Sequence, residues 1–310
     1  MNYSFLPILY QREEKKITAK IGLALLVIML VPAIIQLAAA AAVYRLFPQT
    51  ADSTAFNFFL AFVPQYLIAY PLAVCIFHRS PKCRIHESKL GKKEKYHYFF
   101  ICYFALMLGS LLSSGIGKIL EHFFHVSTDL PIDELLGQFN LATVLFLAVI
   151  LAPIVEELIF RKLLLDRLVK YGELPAVITS GLIFGLCHGN FSQFFYAMLI
   201  GWVFAYIYVK TGKIRYSIIM HMIINFLGSV LPLYIAQNNN YILFAVYLLC
   251  SLTFIVLGAV YCISYRKKWH FEPSDYNLST KEAFKIIWLN RGMVLAILVF
   301  ITFFLASLLV

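Results

Sequence analysis

Polar residues are absent over long stretches of this chain, and the stretches recur. Runs of roughly 20 apolar residues follow one another from near residue 21 to the C-terminus, each long enough for an α-helix to cross about 30 Å of hydrocarbon. The runs predict helices at about 21–44, 55–77, 97–120, 141–170, 174–189, 192–209, 216–236, 241–264 and 292–310. That is an all-α fold, a polytopic membrane helix bundle of about nine transmembrane helices, with seven to nine as the range. Pro64 and Pro71 are expected to kink the second helix. Between the last two helices, Ser279-Thr-Lys-Glu282 has the form of a capping box. Phe284, Ile287 and Trp288 then share a face, which reads either as a short interfacial helix within a cytoplasmic loop at 265–290 or as a solvated loop helix.

Composition narrows this further. The 310 residues are 61% hydrophobic and only 14% charged, too little charge for the surface of a soluble protein of this length. The chain is therefore read as a single integral membrane domain over 1–310, in contact with the lipid bilayer. A net charge of +10 invites a nucleic-acid partner, but the cations lie between apolar runs. Of the 26 lysines and arginines, 24 fall in the segments that alternating helices put on one face; only Arg45 and Lys118 fall on the other. This positive-inside bias excludes nucleic acid as the explanation and puts the N-terminus in the cytoplasm and the C-terminus outside. The first apolar run mimics a signal peptide, but about 20 residues precede it and it is too long for such a core. Cys75, Cys83, Cys102, Cys187, Cys250 and Cys262 are scattered and form no CxxC pair, so they read as packing residues.

Against this background the stretch Pro153-Ile-Val-Glu-Glu-Leu-Ile-Phe-Arg161 is anomalous. An ionised side chain at membrane depth costs at least ~2.5–3.5 kcal/mol, so Glu156, Glu157 and Arg161 need a reason. Further polar groups occur at His188 in the fifth predicted helix and at His221 and Asn225 in the seventh. Glu156 and His188 each stand 16 residues from Gly172, so both lie about 24 Å from that turn in straight helices and can face each other. His221 and Asn225 enter the seventh helix by roughly 14 and 20 Å, which permits all four to converge in a central cavity open to the cytoplasm. Glu157 and Arg161 are spaced i,i+4 and can pair on one helix face, while Glu156 points about 100° away. Pro153 removes a backbone hydrogen bond just ahead of Glu156 and is expected to kink that helix.

The chemistry this permits is water activation. Glu156 with His188 can take a proton from water and return it to a leaving amine. His221 and Asn225 can donate to a developing oxyanion. Each group taken alone also has a structural reading: an ion pair near the interface, or a hydrogen-bonded core histidine.

The set Glu156-Glu157-x-x-x-Arg161, Phe184-x-x-x-His188 and His221-x-x-x-Asn225 resembles the type II CAAX prenyl endopeptidase family, also called the CAAX protease and bacteriocin-processing or abortive infection family. The motif core covers 141–230. The resemblance implies an intramembrane endopeptidase with Glu156 and His188 activating water, His221 and Asn225 as oxyanion site, and Glu157, Arg161 and Phe184 in support. It implies a membrane-associated protein or peptide substrate, possibly lipidated, or a bacteriocin or signal peptide. The compact size resembles the bacterial members. No cofactor is expected; the alternative is a zinc protease using His188, His221 and Glu156. Two non-proteolytic readings stay open. One is a membrane immunity or binding protein of the same fold. The other is a proton-coupled carrier, which no internal repeat supports.

Overall fold

The structure is a computed structural model; it describes residues 8–51, 53–126 and 139–308. Asp52, Asp129, Asp133 and Glu134, expected in two loops, lie outside the described residues. The described chain is all helical in its regular structure: α1 (Ile8–Leu46), α2 (Thr54–His78), α3 (Lys92–Phe124), α4 (Leu141–Tyr171), α5 (Glu173–Leu186), α6 (Phe191–Thr211), α7 (Ile214–Asn238), α8 (Tyr241–Tyr265), α9 (Thr280–Trp288) and α10 (Arg291–Ala306). Among the described residues, seven of these helices are long and apolar enough to cross a membrane: α1 to α4 and α6 to α8. Together with α9, α10 makes an eighth if that bent pair counts as one span.

Each of the nine predicted apolar runs is helical, but two are short. The fifth, α5, has only 14 residues, and most of its side chains are buried among its neighbours. It is a core helix under long ones, which apolar content alone cannot distinguish from a span. The last, α10, has 16 residues and meets α9 at 76°. The capping box at Ser279 and Glu282 forms as expected, with the serine and glutamate exchanging backbone contacts. The apolar face of α9 is not laid into lipid, however. Ala283, Ile286 and Ile287 are buried, and the helix packs on α1 and α5, with Trp288 Nε1 donating to Thr179 Oγ1 at 3.0 Å.

Close helix contacts are made where side chains vanish. A Cβ added at Gly22 of α1 would collide with the backbone of Gly292 at the start of α10, and one at Gly292 with Ala19. Thr18 ties the same junction, donating to Ile286 O at 2.9 Å and accepting from Asn290 Nδ2 at 3.1 Å. In α5 and α6, Gly181 and Gly201 do the same for the pair that carries Phe184. Small residues at such contacts are how helices associate where lipid removes the hydrophobic drive.

Loop-to-loop hydrogen bonds gather the basic segments at one end. Ser88 N donates to Thr211 O, Glu173 N to Glu272 O and Asp275 N to Lys170 O. Inside this end Glu14 accepts from Lys170 Nζ and Tyr171 Oη, each at 2.5 Å. The charge asymmetry seen along the chain is thus a real asymmetry of the folded body.

Replacing Gly292 by leucine should force α1 and α10 apart. Overpacking of this kind costs about 1–3 kcal/mol. A lowered thermal midpoint of the detergent-solubilised protein, read by size-exclusion after heating, is the expected result.

Candidate active site

The segment that carries the two glutamates is an irregular helix. In α4, α-helical turns at Ala152–Glu157 are flanked by wide, π-helical turns at Leu145–Leu151 and Leu158–Leu163. Such turns are frequent at functional sites. In the first of them Ala152 N donates five residues back, to Leu147 O. The next donor in that register would be residue 153, calling on Ala148 O, but Pro153 has no N–H. Ala148 O is instead capped from another helix: Asn225 Nδ2 of α7 donates to it at 2.8 Å. The proline and the asparagine are therefore one device, in which α7 repairs the backbone gap ahead of Glu156.

Glu157 and Arg161 form the paired group the spacing predicts. The guanidinium Nε and a terminal nitrogen bond the two carboxylate oxygens at 3.0 and 3.1 Å, and both side chains are fully buried. The remaining terminal nitrogen of Arg161 donates to Ser180 Oγ at 2.9 Å, and that hydroxyl donates to Phe160 O. The Phe184 ring lies under the guanidinium at 4.8 Å and the Phe204 ring at 5.8 Å. Cation–π contacts of desolvated arginine contribute about 2 kcal/mol or more.

His221 links the two glutamates. Its Nδ1 lies 3.2 Å from Glu157 Oε1 and its Nε2 3.8 Å from Glu156 Oε2. The imidazole is held between Phe204, at 5.1 Å and 32°, and Phe184, at 5.7 Å and 90°. Phe184 thus touches Arg161, His188 and His221 together. Its place in the motif has a mechanical cause: one ring sets the relative positions of three polar groups.

His188 stands two residues beyond the end of α5, which stops three residues earlier than expected, in a turn closed by Gly189 at φ 66°. Its Nδ1 lies 2.8 Å from Phe184 O. A carbonyl oxygen can only accept, so Nδ1 carries a proton, and in the neutral ring Nε2 is the bare base.

A cavity of about 700 Å³ gathers Glu156, Phe184, His188, His221 and Asn225, whereas Glu157 and Arg161 sit behind its wall. Two expectations change. The imidazole in contact with Glu156 is that of His221, not His188, because the wide turns of α4 and the early end of α5 break the straight-helix arithmetic. His221 and Asn225 also do not stand free as a donor pair: one is engaged with the carboxylates, and one amide hydrogen of the other is spent on Ala148.

The cavity lies towards one end of the bundle. Its wall includes Gln193, third residue of α6, Leu147 near the start of α4, and Leu233 and Ala236 near the end of α7. These are the helix ends away from the basic loops. The basic half is filled by Phe160, Arg161, Leu164, Phe204 and Tyr208, each at most 1% exposed. Among the described residues, no three His, Cys, Asp or Glu side chains are placed to share a metal ion.

Ser180 and Phe204 escaped the sequence reading. Serine in an apolar helix and phenylalanine in an aromatic-rich one carry no signal of their partners.

The comparisons with known proteins fall on this same region. Residues 138–227 match the model of the type II CAAX prenyl endopeptidase Rce1-like family, which covers the motif core and leaves the flanking helices unmatched. The resemblance carried by the three motifs is thereby shown over that segment. The chain is also similar to a Bacillus subtilis (strain 168) protein named "Putative membrane peptidase YdiL", 26% identical over 152 residues, 48% of this chain and 62% of that one. A second relative is the "UPF0177 protein YxdF" of Lactococcus lactis subsp. lactis (strain IL1403), 27% identical over 105 residues, 34% of this chain and 58% of that one. The chain thus spans about three fifths of the length of the curated relatives it matches. No solved structure matches it significantly.

Two variants test the supports. Arg161→Met leaves Glu157 as a buried charge without its arginine and with His221 still beside it; breaking a buried pair costs about 3–5 kcal/mol, so thermal stability should fall strongly. Asn225→Ala strands the Ala148 carbonyl at about 1–3 kcal/mol. Adding Pro153→Ala should restore part of that loss in the double variant, because it returns an N–H to the helix. An additive loss would contradict the pairing.

Proposed function

We propose that this chain is an intramembrane endopeptidase that hydrolyses a peptide bond in a membrane-associated protein or peptide. The observation that carries the reading is the division of the two glutamates. Glu157 is locked into Arg161 behind the wall, while Glu156 lines the cavity beside His221 and with His188 on the same wall. The match over 138–227 and the peptidase name of the Bacillus relative support the same reaction class.

In the proposed reaction Glu156 takes a proton from water. The hydroxyl adds to the scissile carbonyl carbon. The oxygen that gains charge is met by the second amide hydrogen of Asn225 and by an imidazole N–H of His221, after a small shift of either group from its resting partner. The proton held by Glu156 then passes to the leaving nitrogen as the C–N bond breaks, so water is divided between the two products. His188, with Nε2 unprotonated, assists the first transfer as a second base. His221 spans both carboxylates and couples the working glutamate to the fixed one. No metal step is needed in this scheme.

Comparing membrane peptides from cells that express the chain with those from cells expressing Glu156→Gln or His188→Ala tests the proposal. Fragments present only with the unaltered chain are expected, and each variant should lose at least about 100-fold in turnover on such a peptide while keeping its thermal midpoint. Identical fragments from chain and variants would refute proteolysis. Turnover that persists after exhaustive chelation is expected too; loss with recovery on added zinc would replace this mechanism by a metal one.

A further inference from the structure

The cavity is sided, and its side is opposite to the one that the cations mark. Three observations agree. The basic segments meet at one end through the loop contacts of Ser88, Lys170, Glu173 and Thr211. Directly beneath the glutamates on that side, the buried side chains of Arg161, Phe160 and Phe204 form a closed floor. The cavity extends from Glu156 past Asn225 to Leu233 and Ala236, towards the ends joined by the neutral loop around Asn239. With 24 of 26 cations on the basic face, that face is the cytoplasmic one.

We propose that the site is loaded from the extracytoplasmic half of the membrane, and that it takes an uncharged peptide segment whose scissile bond is presented from that side. The inference rests on the proteolytic reading for the word scissile, but the entry route stands on the cavity's placement and the charge bias. The wall settles the character of the segment. Among the described residues it carries no acidic or basic side chain beyond Glu156, His188 and His221; Tyr66, Leu147, Leu233, Ser110 and Gln193 offer apolar surface with a few neutral hydrogen-bonding groups. A charged residue near the cleaved bond would lose its water there with no partner of opposite sign except the catalytic carboxylate. Such a substrate is a secreted or membrane-anchored peptide already across the bilayer, not a cytoplasmic tail.

Cysteine accessibility in the full chain decides this. Gln237→Cys marks the neutral end and Lys267→Cys the basic loop; both positions are exposed. Leu233→Cys reports the cavity, with Ser229→Cys on the same wall as a second reporter should the first variant fail to fold. Each is compared with the parent chain to subtract its native cysteines. A membrane-impermeant maleimide on intact cells should label Gln237→Cys and not Lys267→Cys. A charged methanethiosulfonate should modify Leu233→Cys in right-side-out vesicles, with loss of labelling in inside-out ones. Modification of Leu233→Cys and Ser229→Cys only from the side that labels Lys267→Cys would overturn the entry route. Labelling of Lys267→Cys in intact cells would overturn the extracytoplasmic assignment. None of these readouts needs turnover. Persistence of cleavage in Glu156→Gln would therefore defeat the proteolytic reading while the sidedness result stood.

Discussion

A charged pair with no access to water holds this molecule's centre together. Arg161 grips both oxygens of Glu157 in a bundle otherwise filled by apolar side chains. The pair is costly to desolvate and still costlier to break, so the groups around it are fixed with it. Ser180 takes the remaining terminal nitrogen, Phe184 and Phe204 cover the guanidinium faces, and His221 takes the outer edge of Glu157. Three helices of the motif core and α6 are thereby referred to one point. Glu156, the residue just before it on α4, inherits a defined position from this fixed neighbour.

The backbone is arranged to the same end. A regular α-helix through Pro153 would leave a gap in its hydrogen bonds within one turn of Glu156. The wide turns on either side displace that gap to Ala148, where Asn225 fills it. An irregular backbone survives at membrane depth only where protein supplies the missing partners. Here the partner is also a wall residue of the cavity, so the same asparagine links the integrity of α4 to the shape of the site.

Much of this was legible in the chain before any coordinates. Apolar run lengths located all nine helices, and i,i+4 spacing identified the Glu157–Arg161 pair and set Glu156 apart from it. Other features were not legible, for physical reasons. Run length cannot tell a buried 14-residue helix from a span, which is why α5 was counted with the others. Counting residues along straight helices put Glu156 opposite His188, but wide turns change both rise and facing, and His221 took that place. The same arithmetic opened the cavity towards the basic loops. It ignored the volume of Phe160, Arg161 and Phe204, which close that route. Partners such as Ser180 are ordinary residues made special only by three-dimensional neighbours.

The central claim is that the adjacent glutamates hold different offices, one in chemistry and one in support. Measuring cleavage and thermal midpoint side by side in Glu156→Gln and Glu157→Gln separates them most directly. The account predicts that the first variant keeps its midpoint and loses cleavage, whereas the second loses its midpoint yet still cleaves at temperatures where it remains folded. The opposite pattern, a stable but inactive Glu157→Gln beside an active Glu156→Gln, would contradict it.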